Sequence, residues 1–449
     1  MVFKSQSADK RLMGNASVGV LGGGISGLTF AAHHDDSVIL EKDPEVGGLC
    51  RSVRLGGYTF DLGSHIIFTK DPNVRSFFLS TLGKNVITHR RNTRIAYKGK
   101  LIKYPFENGL CDLDIHERYA CAENYIETYI RRERGELARP KNFMEWMRFR
   151  FGDKITDAYL APYNRKVWNC DPSEMDYSWV EGRVPQPPVS DILKSCMGLA
   201  CEGYTEQLNF WYPENGGYQS LTDSIAKSIG KERIECGFAV ERLKKEGNEW
   251  VVFGNKGKRN FKRLVSTINV IDFLAMLPDV PSSVQKAACG LRWNSIHLTM
   301  VSLGKTAKKN DMHWLYVPEE SFLPNRVSFP SNMSGRNVPE GCFSILAETT
   351  IPPEGRYGEG EITGKVVDDL ESMSLISHND VVAAKTITLD YAYPVYDLNH
   401  SKNTKTIYDY VESLGGIDLL GRFSEFMYYN ADKCAGNAIS LAKSMAESE

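Results

Sequence analysis

Three glycines near the start of the chain have the type and spacing of a phosphate-binding loop. Gly22, Gly24 and Gly27 follow the apolar run Val18 to Leu21 in the pattern G-x-G-x-x-G. The first glycine permits a tight turn, the second lets a pyrophosphate approach the backbone, and the third lets the next helix pack against the strand. Glu41 lies about 20 residues further on, the spacing at which a carboxylate accepts hydrogen bonds from a ribose diol. The pattern predicts a dinucleotide-binding site.

The elements that must position these residues follow from the same segment. Val18 to Leu21 is apolar throughout, which is typical of a strand buried in a parallel sheet. Leu28 to His34 should continue a helix whose N-terminus offers free N–H groups to phosphates. Ser37 to Leu40 should form a second strand that ends at Glu41. Residues 17–75 are therefore predicted to form a β-α-β unit.

The residues after this unit extend the candidate site. Gly47-Gly48-Leu49 comes first, and Asp61-Leu-Gly63-Ser64-His65 follows. This stretch resembles the FAD-binding start of the amine-oxidase-like flavoproteins, in which the glycine pair lies against the cofactor and the D-x-G-x-H turn runs beside the flavin. On its own, His65 would be interpreted as a histidine satisfied within a turn. The resemblance implies FAD as cofactor, held by Gly22, Gly24, Ile25, Ser26, Gly27, Glu41, Lys42, Gly47, Gly48, Leu49, Gly63, Ser64, His65, Val240, Arg422 and Asp432.

Length and composition indicate a globular protein of two or three domains. The chain has 449 residues, of which 42% are hydrophobic and 24% charged. A net charge of −2 argues against a nucleic-acid partner, and no apolar run approaches the ~20 residues of a membrane span. Met1 to Asn15 is polar, lacks the apolar core of a signal peptide and is expected to be a short disordered lead. The ten cysteines form no C-x-x-C pair or metal-ligand cluster, so we expect a cytoplasmic protein with reduced thiols and no metal.

Changes in periodicity along the chain predict interleaved domains of an α/β fold. The periodicity is helical from about Asp112 to Ala200, whereas residues 214–275 contain the strands of a β-meander. We expect an FAD-binding Rossmann-type domain, a helical substrate and nucleotide domain inserted into it, and an antiparallel sheet domain. Their expected segments are 17–80, 214–275 and 412–449 for the first, 112–205 for the second, and 81–111, 206–213 and 276–411 for the third.

Ala161-Pro-Tyr-Asn-Arg-Lys-Val-Trp-Asn169 lies within the helical segment. Proline, tyrosine, asparagine and tryptophan so close together favour a loop that lines a cleft. The alternative is a buried aromatic corner in which Asn164 caps a helix.

Several short motifs make the resemblance more specific. They are Gly48-Leu49, Gly63-Ser-His65-Ile-Ile-Phe68, Tyr104-Pro-Phe106, Pro162-Tyr-Asn164-x-Lys-Val-Trp168, Arg183-Val184 and Trp314-Leu-Tyr316, in this order. Together they resemble the UDP-galactopyranose mutase family, and its eukaryotic-type branch more than its short bacterial branch. The resemblance extends from about residue 17 to residue 430.

This resemblance implies an isomerase that interconverts pyranose and furanose forms of a nucleotide sugar with no net redox change, as in galactofuranose and polysaccharide biosynthesis. In that family, N5 of reduced FAD is the nucleophile that attacks the anomeric carbon. An external reductant, NADPH or NADH, and a nucleotide-sugar substrate, UDP-linked in the family, are then expected. Which sugar and which base are bound, and whether the chain forms a homo-oligomer, stay open.

The family roles transfer to residues of this chain one by one. Arg183 and Arg326 resemble the two arginines that grip the diphosphate, although each taken alone could equally be a surface ion-pair partner. His65 resembles the histidine beside the flavin. The substrate-binding residues implied are Tyr104, Asn164, Trp168, Gln207, Tyr316, Tyr393 and Tyr428.

Three departures from the family pattern keep other functions open. Met333 stands in place of a phosphate-binding tyrosine, Glu107 in place of a glutamine, and Asn430 to Cys434 matches the flavin stretch loosely. The main alternative is a redox FAD enzyme of the same superfamily: an amine oxidase, a protoporphyrinogen oxidase or a desaturase-like enzyme. A flavin-carrying structural or regulatory protein is a third interpretation.

Overall fold

The computed structural model describes residues 16–180, 184, 186–199, 208–355 and 357–447. The segment 1–15, Arg183 and Gln207 lie outside the described residues, so the expectations for them stay predictions. The strands of the described part are β1 Val18–Leu21, β2 Ser37–Glu41, β3 Ser52–Leu55, β4 Tyr58–Asp61, β5 Ile87–Arg90, β6 Thr93–Tyr97, β7 Lys100–Lys103, β8 Asn209–Tyr212, β9 Ile234–Cys236, β10 Val240–Glu246, β11 Glu249–Gly254, β12 Gly257–Phe261, β13 Arg263–Ser266, β14 Arg292–Leu303, β15 Trp314–Tyr316, β16 Arg326–Ser328, β17 Phe343–Ile351, β18 Val381–Val395 and β19 Ile417–Leu419.

The helices connect and cover these strands. They are α1 Ile25–His33, α2 Pro72–Leu82, α3 Ile115–Glu133, α4 Phe143–Ile155, α5 Ala161–Trp168, α6 Val189–Cys196, α7 Gln219–Ile229, α8 Val270–Ala275, α9 Ser282–Cys289, α10 Pro330–Met333, α11 Glu359–Ser372, α12 His400–Leu414 and α13 Ala431–Ala446. None of the described helices is both long enough and apolar enough to cross a bilayer.

A five-stranded parallel sheet has the order β19-β13-β1-β2-β9. Val20 of β1 and Ile39 of β2 pack on one face with Leu28, Leu221 and Ala438 from α1, α7 and α13. The other face is covered by the antiparallel strands β10-β11-β12 and by α8, α9 and α12. Because both faces of this sheet are buried, the side chains on either face of a central strand must be apolar. This explains the uninterrupted apolar run in β1.

A second, seven-stranded sheet has the order β18-β14-β17-β16-β15-β6-β7. Its neighbours pair antiparallel except for β15 and β6, which are parallel. The register places Tyr316 opposite Arg326, and Arg326 opposite Glu348. An α/β fold with a mostly antiparallel second sheet is thereby confirmed.

The helices α3 to α6 form a separate layer around an aromatic core of Tyr125, Trp146, Phe151 and Trp168. The predicted loop at residues 161–169 is wrong, because Ala161–Trp168 is helical and follows a π-helical turn, Thr156–Leu160. Pro162 lies where the π-helical turn passes into α5, and its ring nitrogen has no N–H to donate to that turn.

Asn164 is not a helix cap either. Its Nδ2 donates to Leu160 O at 2.8 Å, and its Oδ1 accepts from Trp168 Nε1 at 3.1 Å. The asparagine therefore links one turn of α5 to the next and orients the tryptophan.

Candidate functional site

A cavity of about 890 Å³ lies where the carboxyl ends of β1 and β2 meet the seven-stranded sheet. Gly22 and Glu41 line it from the parallel sheet, whereas Tyr316, Arg326 and Tyr391 line it from the second sheet. In open parallel sheets, ligands bind outside the carboxyl ends of the strands, so this position is the expected one for a cofactor.

The glycine-rich loop is built for close approach at two places. A Cβ on Gly27 would lie 2.2 Å from Gly22 O, so only glycine lets α1 pack this tightly on the loop. A Cβ on Gly24 would meet no protein atom within 4 Å, and Gly24 lines the cavity. Gly27 therefore serves helix packing, and Gly24 leaves space for a ligand.

Glu41 is held rigidly at the end of β2. Its Oε2 accepts from Gly23 N at 2.6 Å, and its Oε1 accepts from Asp43 N at 2.8 Å. The carboxylate is 7% exposed and lines the cavity. Two backbone donors fix its orientation, and remaining lone pairs can accept from ribose hydroxyls.

The second glycine pair lies against the first loop. Gly47 N donates to Gly23 O at 2.8 Å, and a Cβ on Gly48 would lie 3.3 Å from Gly24 Cα. The predicted cofactor residues that line the cavity are Gly22, Gly24, Ile25, Ser26, Glu41, Lys42, Gly47, Gly48, Leu49, Ser64, His65, Val240, Arg422 and Asp432. Gly27 and Gly63 are outside the lining.

His65 faces the cavity from the turn after β4 and stacks on Tyr218, with ring centroids 5.1 Å apart. Burial lowers the pKa of His65 to about 4; the cations of Arg422 and Arg326 act in the same direction, and Glu348 opposes them. The imidazole is therefore neutral at neutral pH. The neutral ring can donate one hydrogen bond and accept another, but it does not place a positive charge in the cavity.

Arg326 lines the cavity with a carboxylate behind it. Its Nε and Nη2 donate to Oε1 and Oε2 of Glu348 at 3.1 and 2.5 Å. Ser64 Oγ also donates to Glu348 Oε1, at 2.5 Å, which ties the His65 turn to this ion pair. Burial opposes the charge on Arg326, but Glu348 and the neighbouring tyrosines raise its pKa well above the ordinary value. The alternative interpretation of Arg326 as a surface ion-pair partner is wrong, because the side chain of its partner Glu348 is fully buried.

Arg91 is a cavity residue that the sequence analysis missed. Its Nε donates to Thr93 Oγ1 at 3.0 Å, and its Nη2 donates to Tyr316 Oη at 3.4 Å. The guanidinium lies 4.8 Å from the ring centroid of Tyr104 and 5.4 Å from that of Trp314. No motif marks Arg91, because its position follows only from the pairing of β6 with β15.

Arg422 approaches the cavity from the segment before α13. Its Nη2 donates to Ala392 O and its Nη1 to Tyr429 O, at 2.5 and 3.2 Å. The guanidinium lies 4.9 Å from the ring centroids of both Tyr393 and Tyr428. We call Arg91, Tyr316, Arg326, Arg422 and Tyr428 the arginine–tyrosine wall.

The predicted substrate residues divide into two groups. Tyr316 and Tyr428 line the cavity, whereas Tyr104, Asn164, Trp168 and Tyr393 do not. Members of the two groups are in contact: Tyr104 is 5.1 Å from Tyr316, and Trp168 is 5.5 Å from Tyr428, between ring centroids. The substrate-binding roles of all four residues stay predictions.

The two residues that depart from the family pattern lie outside the cavity lining. Met333 is buried in the core of the parallel unit, and its carbonyl accepts from His89 Nε2 at 2.7 Å. Glu107 is buried in a 3₁₀ turn after β7. Neither side chain therefore forms part of the surface of this cavity.

The lining residues fit a flavin dinucleotide. Gly24 leaves open space beside a helix N-terminus, and Glu41 can accept from a ribose. His65 Nδ1 and Arg422 Nε are buried and have no hydrogen-bond partner among the described residues. Both atoms belong to residues that line the cavity, so a polar ligand bound there would lie close to them.

Comparison with known families agrees with this fit. Residues 25–373 match the family described as flavin containing amine oxidoreductase. An uncharacterized protein from the nifH2 3′ region of Methanothermococcus thermolithotrophicus is 52% identical over 52 residues, which are 11% of this chain and 50% of that protein. The chain thus matches only half the length of that curated relative.

Solved structures show the same fold over nearly the whole chain. A reduced UDP-galactopyranose mutase aligns with a TM-score of 0.89 at 22% identity, covering 97% of this chain and 96% of the other. A protein proposed to be a protoporphyrinogen oxidase, from Exiguobacterium sp. 255-15, aligns with a TM-score of 0.74 at 15% identity, covering 96% and 99%. At these identities the likeness establishes the fold alone.

Proposed function

Because the chain belongs to the family of flavin containing amine oxidoreductases, we propose that it binds FAD non-covalently and interconverts the pyranose and furanose forms of a nucleotide sugar. The observation that carries this proposal is the arginine–tyrosine wall. Three guanidiniums and two phenols in one cavity suit a diphosphate, because guanidinium forks bind phosphate oxygens in pairs.

Two of the three guanidiniums make no direct contact with a carboxylate in the described part of the chain. Among the described residues, Arg91 contacts a hydroxyl, a phenol and aromatic rings, and Arg422 contacts carbonyl oxygens and rings. Neither set includes a carboxylate. Guanidiniums that are not paired directly with a carboxylate keep their attraction for an anionic ligand and repel a protonated amine.

The residues then have distinct tasks. When bound and reduced, FAD supplies a nucleophilic nitrogen to the anomeric carbon. Arg91 and Arg326 bind the diphosphate and offset the charge that develops as it leaves, and Tyr316 and Tyr428 donate hydrogen bonds to it. His65, neutral at neutral pH, accepts or donates one hydrogen bond beside the cofactor. Phe68, Phe210 and Trp314 contribute apolar lining that limits water.

The predicted clamp of Arg183 opposite Arg326 stays part of the proposal. Arg183 lies outside the described residues, so its side chain is assigned by the motif alone.

One observation favours the redox alternative. Glu348 already neutralises Arg326, which makes this arginine a weaker phosphate ligand than a free guanidinium. A redox flavoenzyme with a less charged substrate would need fewer cations in the wall.

Turnover under anaerobic conditions separates the two functions. Purified protein is reduced with dithionite and incubated with UDP-, TDP- and GDP-sugars, and isomerised product is counted per reducing equivalent. We expect many product molecules per equivalent, with FAD released on heating. One-to-one consumption of reductant, or activity only with oxidised flavin and oxygen, supports the redox enzyme instead.

A further inference from the structure

Lys166 lies on α5 between Asn164 and Trp168 but is not part of the cavity lining. Its Nζ donates to Val317 O at 3.0 Å and to Glu319 O at 2.8 Å. Both acceptors belong to the connection that follows β15. A lysine that spans from a helix of the inserted layer to a loop of the second sheet joins two parts that are distant in sequence.

That loop controls the geometry of the wall. Residues 317–325 connect β15 to β16, and the register places Tyr316 directly opposite Arg326. Val317 N donates to Asn325 O at 3.0 Å, so the loop closes immediately beyond this pair. A shift of the loop would therefore be transmitted to both cavity residues.

The main chain of α5 is attached to the same sheet. Lys166 O accepts from Thr350 Oγ1 at 2.8 Å, and Val167 O accepts from Asn294 Nδ2 at 3.1 Å. Thr350 lies two residues after Glu348 on β17. The helix thus contacts the strand that holds the partner of Arg326 as well as the loop that follows Tyr316.

We propose that Lys166 is a positioning residue that aligns α5 with the β15–β16 hairpin. Tyr428, which packs on Trp168 of α5, and the pair Tyr316 and Arg326 of the hairpin then meet one ligand. The identity of that ligand rests on the proposed function, whereas the alignment itself does not.

The charges around Lys166 are compatible with this role. Burial lowers the pKa of Lys166 to about 7, while Asp369 of α11 and Glu319 and Glu320 of the loop act in the opposite direction. Asp369 Oδ2 accepts from Leu323 N at 2.6 Å, so α11 holds the loop from a second side. A neutral amine keeps N–H donors for both carbonyls, so the contact persists on either side of neutral pH.

The test compares Lys166→Met, which removes the donors, with Lys166→Arg, which keeps them. Arg165→Met is the matched control, because Arg165 is the preceding residue of α5 and makes an exposed ion pair with Asp171. Two quantities are measured on FAD-loaded protein: the Kd for UDP by calorimetry, and amide hydrogen exchange of residues 317–325.

We expect Lys166→Met to weaken UDP binding by about tenfold, the equivalent of one net hydrogen bond, and to speed exchange in the loop. Lys166→Arg should restore most of both, and Arg165→Met should change neither. If Lys166→Met fails to fold, Lys166→Gln replaces it, because the glutamine side chain is one atom shorter and cannot reach both carbonyls.

Unchanged loop exchange in the donor-free variant overturns the inference. So does faster exchange with unchanged UDP affinity, because the contact would then be structural only. If the wild type binds no nucleoside diphosphate, the proposed function fails, and loop exchange alone decides the alignment: faster exchange supports it and unchanged exchange refutes it.

Discussion

The glycine-rich loop and the arginine–tyrosine wall face the same cavity but are assembled differently. The loop comes from one stretch of about 30 residues and presents mainly backbone, with Gly24 open to the cavity and Glu41 fixed by two N–H donors. The wall takes single side chains from four segments, which meet through sheet register. Local spacing therefore specifies the loop side of the cavity, whereas long-range pairing specifies the arginine–tyrosine wall.

Among substitutions that test this difference, we expect the largest loss of stability in the wall, at Arg326. Arg326→Ala leaves Glu348 buried without its cation, and removal of one partner of a buried ion pair costs about 3–5 kcal/mol. Urea unfolding should show this loss, and turnover of a nucleotide sugar should fall while FAD stays bound.

The double variant Arg326→Ala with Glu348→Gln separates stability from function. The neutral amide removes the stranded charge and can still accept from Ser64, so most of the stability should return while turnover does not. Full activity of Arg326→Ala on every sugar that the wild type converts would show that this arginine does not bind the diphosphate.

The next effect concerns the titration of His65, which belongs to the glycine motif region in sequence but lies near Arg326 and Arg422 of the wall. Its folded pKa of about 4 lies below the unfolded value of about 6.5, so the unfolded chain binds more protons between these values. Stability of the apoprotein should therefore decrease as pH falls from 6.5 to 4, by on the order of 3 kcal/mol. Urea titrations at several pH values should show a shallower dependence in His65→Asn; identical slopes would contradict the assignment.

Substitutions at two glycines test the glycine-rich loop in the same way. Gly27→Ala forces a Cβ to within 2.2 Å of Gly22 O and should cost about 1–3 kcal/mol of stability. Gly24→Ala meets no protein atom, so its thermal unfolding without cofactor should match the wild type, while FAD affinity falls. Equal FAD affinity in Gly24→Ala and wild type would place the cofactor away from this loop.

The smallest effect is expected at Arg91. Arg91→Met removes one guanidinium that has no buried carboxylate behind it, so stability should change little and kcat/KM for a nucleotide sugar should fall by about tenfold or somewhat more. Arg91→Lys should recover only part, because an ammonium cannot make the two-point contact. Steady-state kinetics check this, and an unaltered kcat/KM would remove Arg91 from the wall.

The predictions from sequence succeeded where a property is local. The β-α-β unit and the α/β class are confirmed, because apolar runs and glycine spacing encode strand burial and tight turns directly. The helix at residues 161–168 was missed, since its proline and aromatic residues favour a loop until Trp168 and Ala161 gain a buried face. Side-chain types alone did not reveal that the surrounding layer would provide it.

Within the site, the boundary between lining and support also depended on the tertiary structure. Tyr104, Asn164, Trp168 and Tyr393 have the polar and aromatic character of ligand contacts, but they are not among the residues that line this cavity. Residue type alone does not show which of these side chains lie at the surface of the cavity and which pack beside it.

The amino-acid sequence by itself determined the glycine-rich loop of this protein, because the turn, the close helix approach and the fixed Glu41 carboxylate all depend on residues within one short stretch. Only the tertiary structure decided that Arg326 pairs with Glu348, that Arg91 donates a hydrogen bond to Tyr316, and that Met333 is buried in a hydrophobic core. The physical reason is that these contacts depend on which strands pair and in which register. Pairing between distant strands is set by the packing of the whole chain rather than by any local spacing.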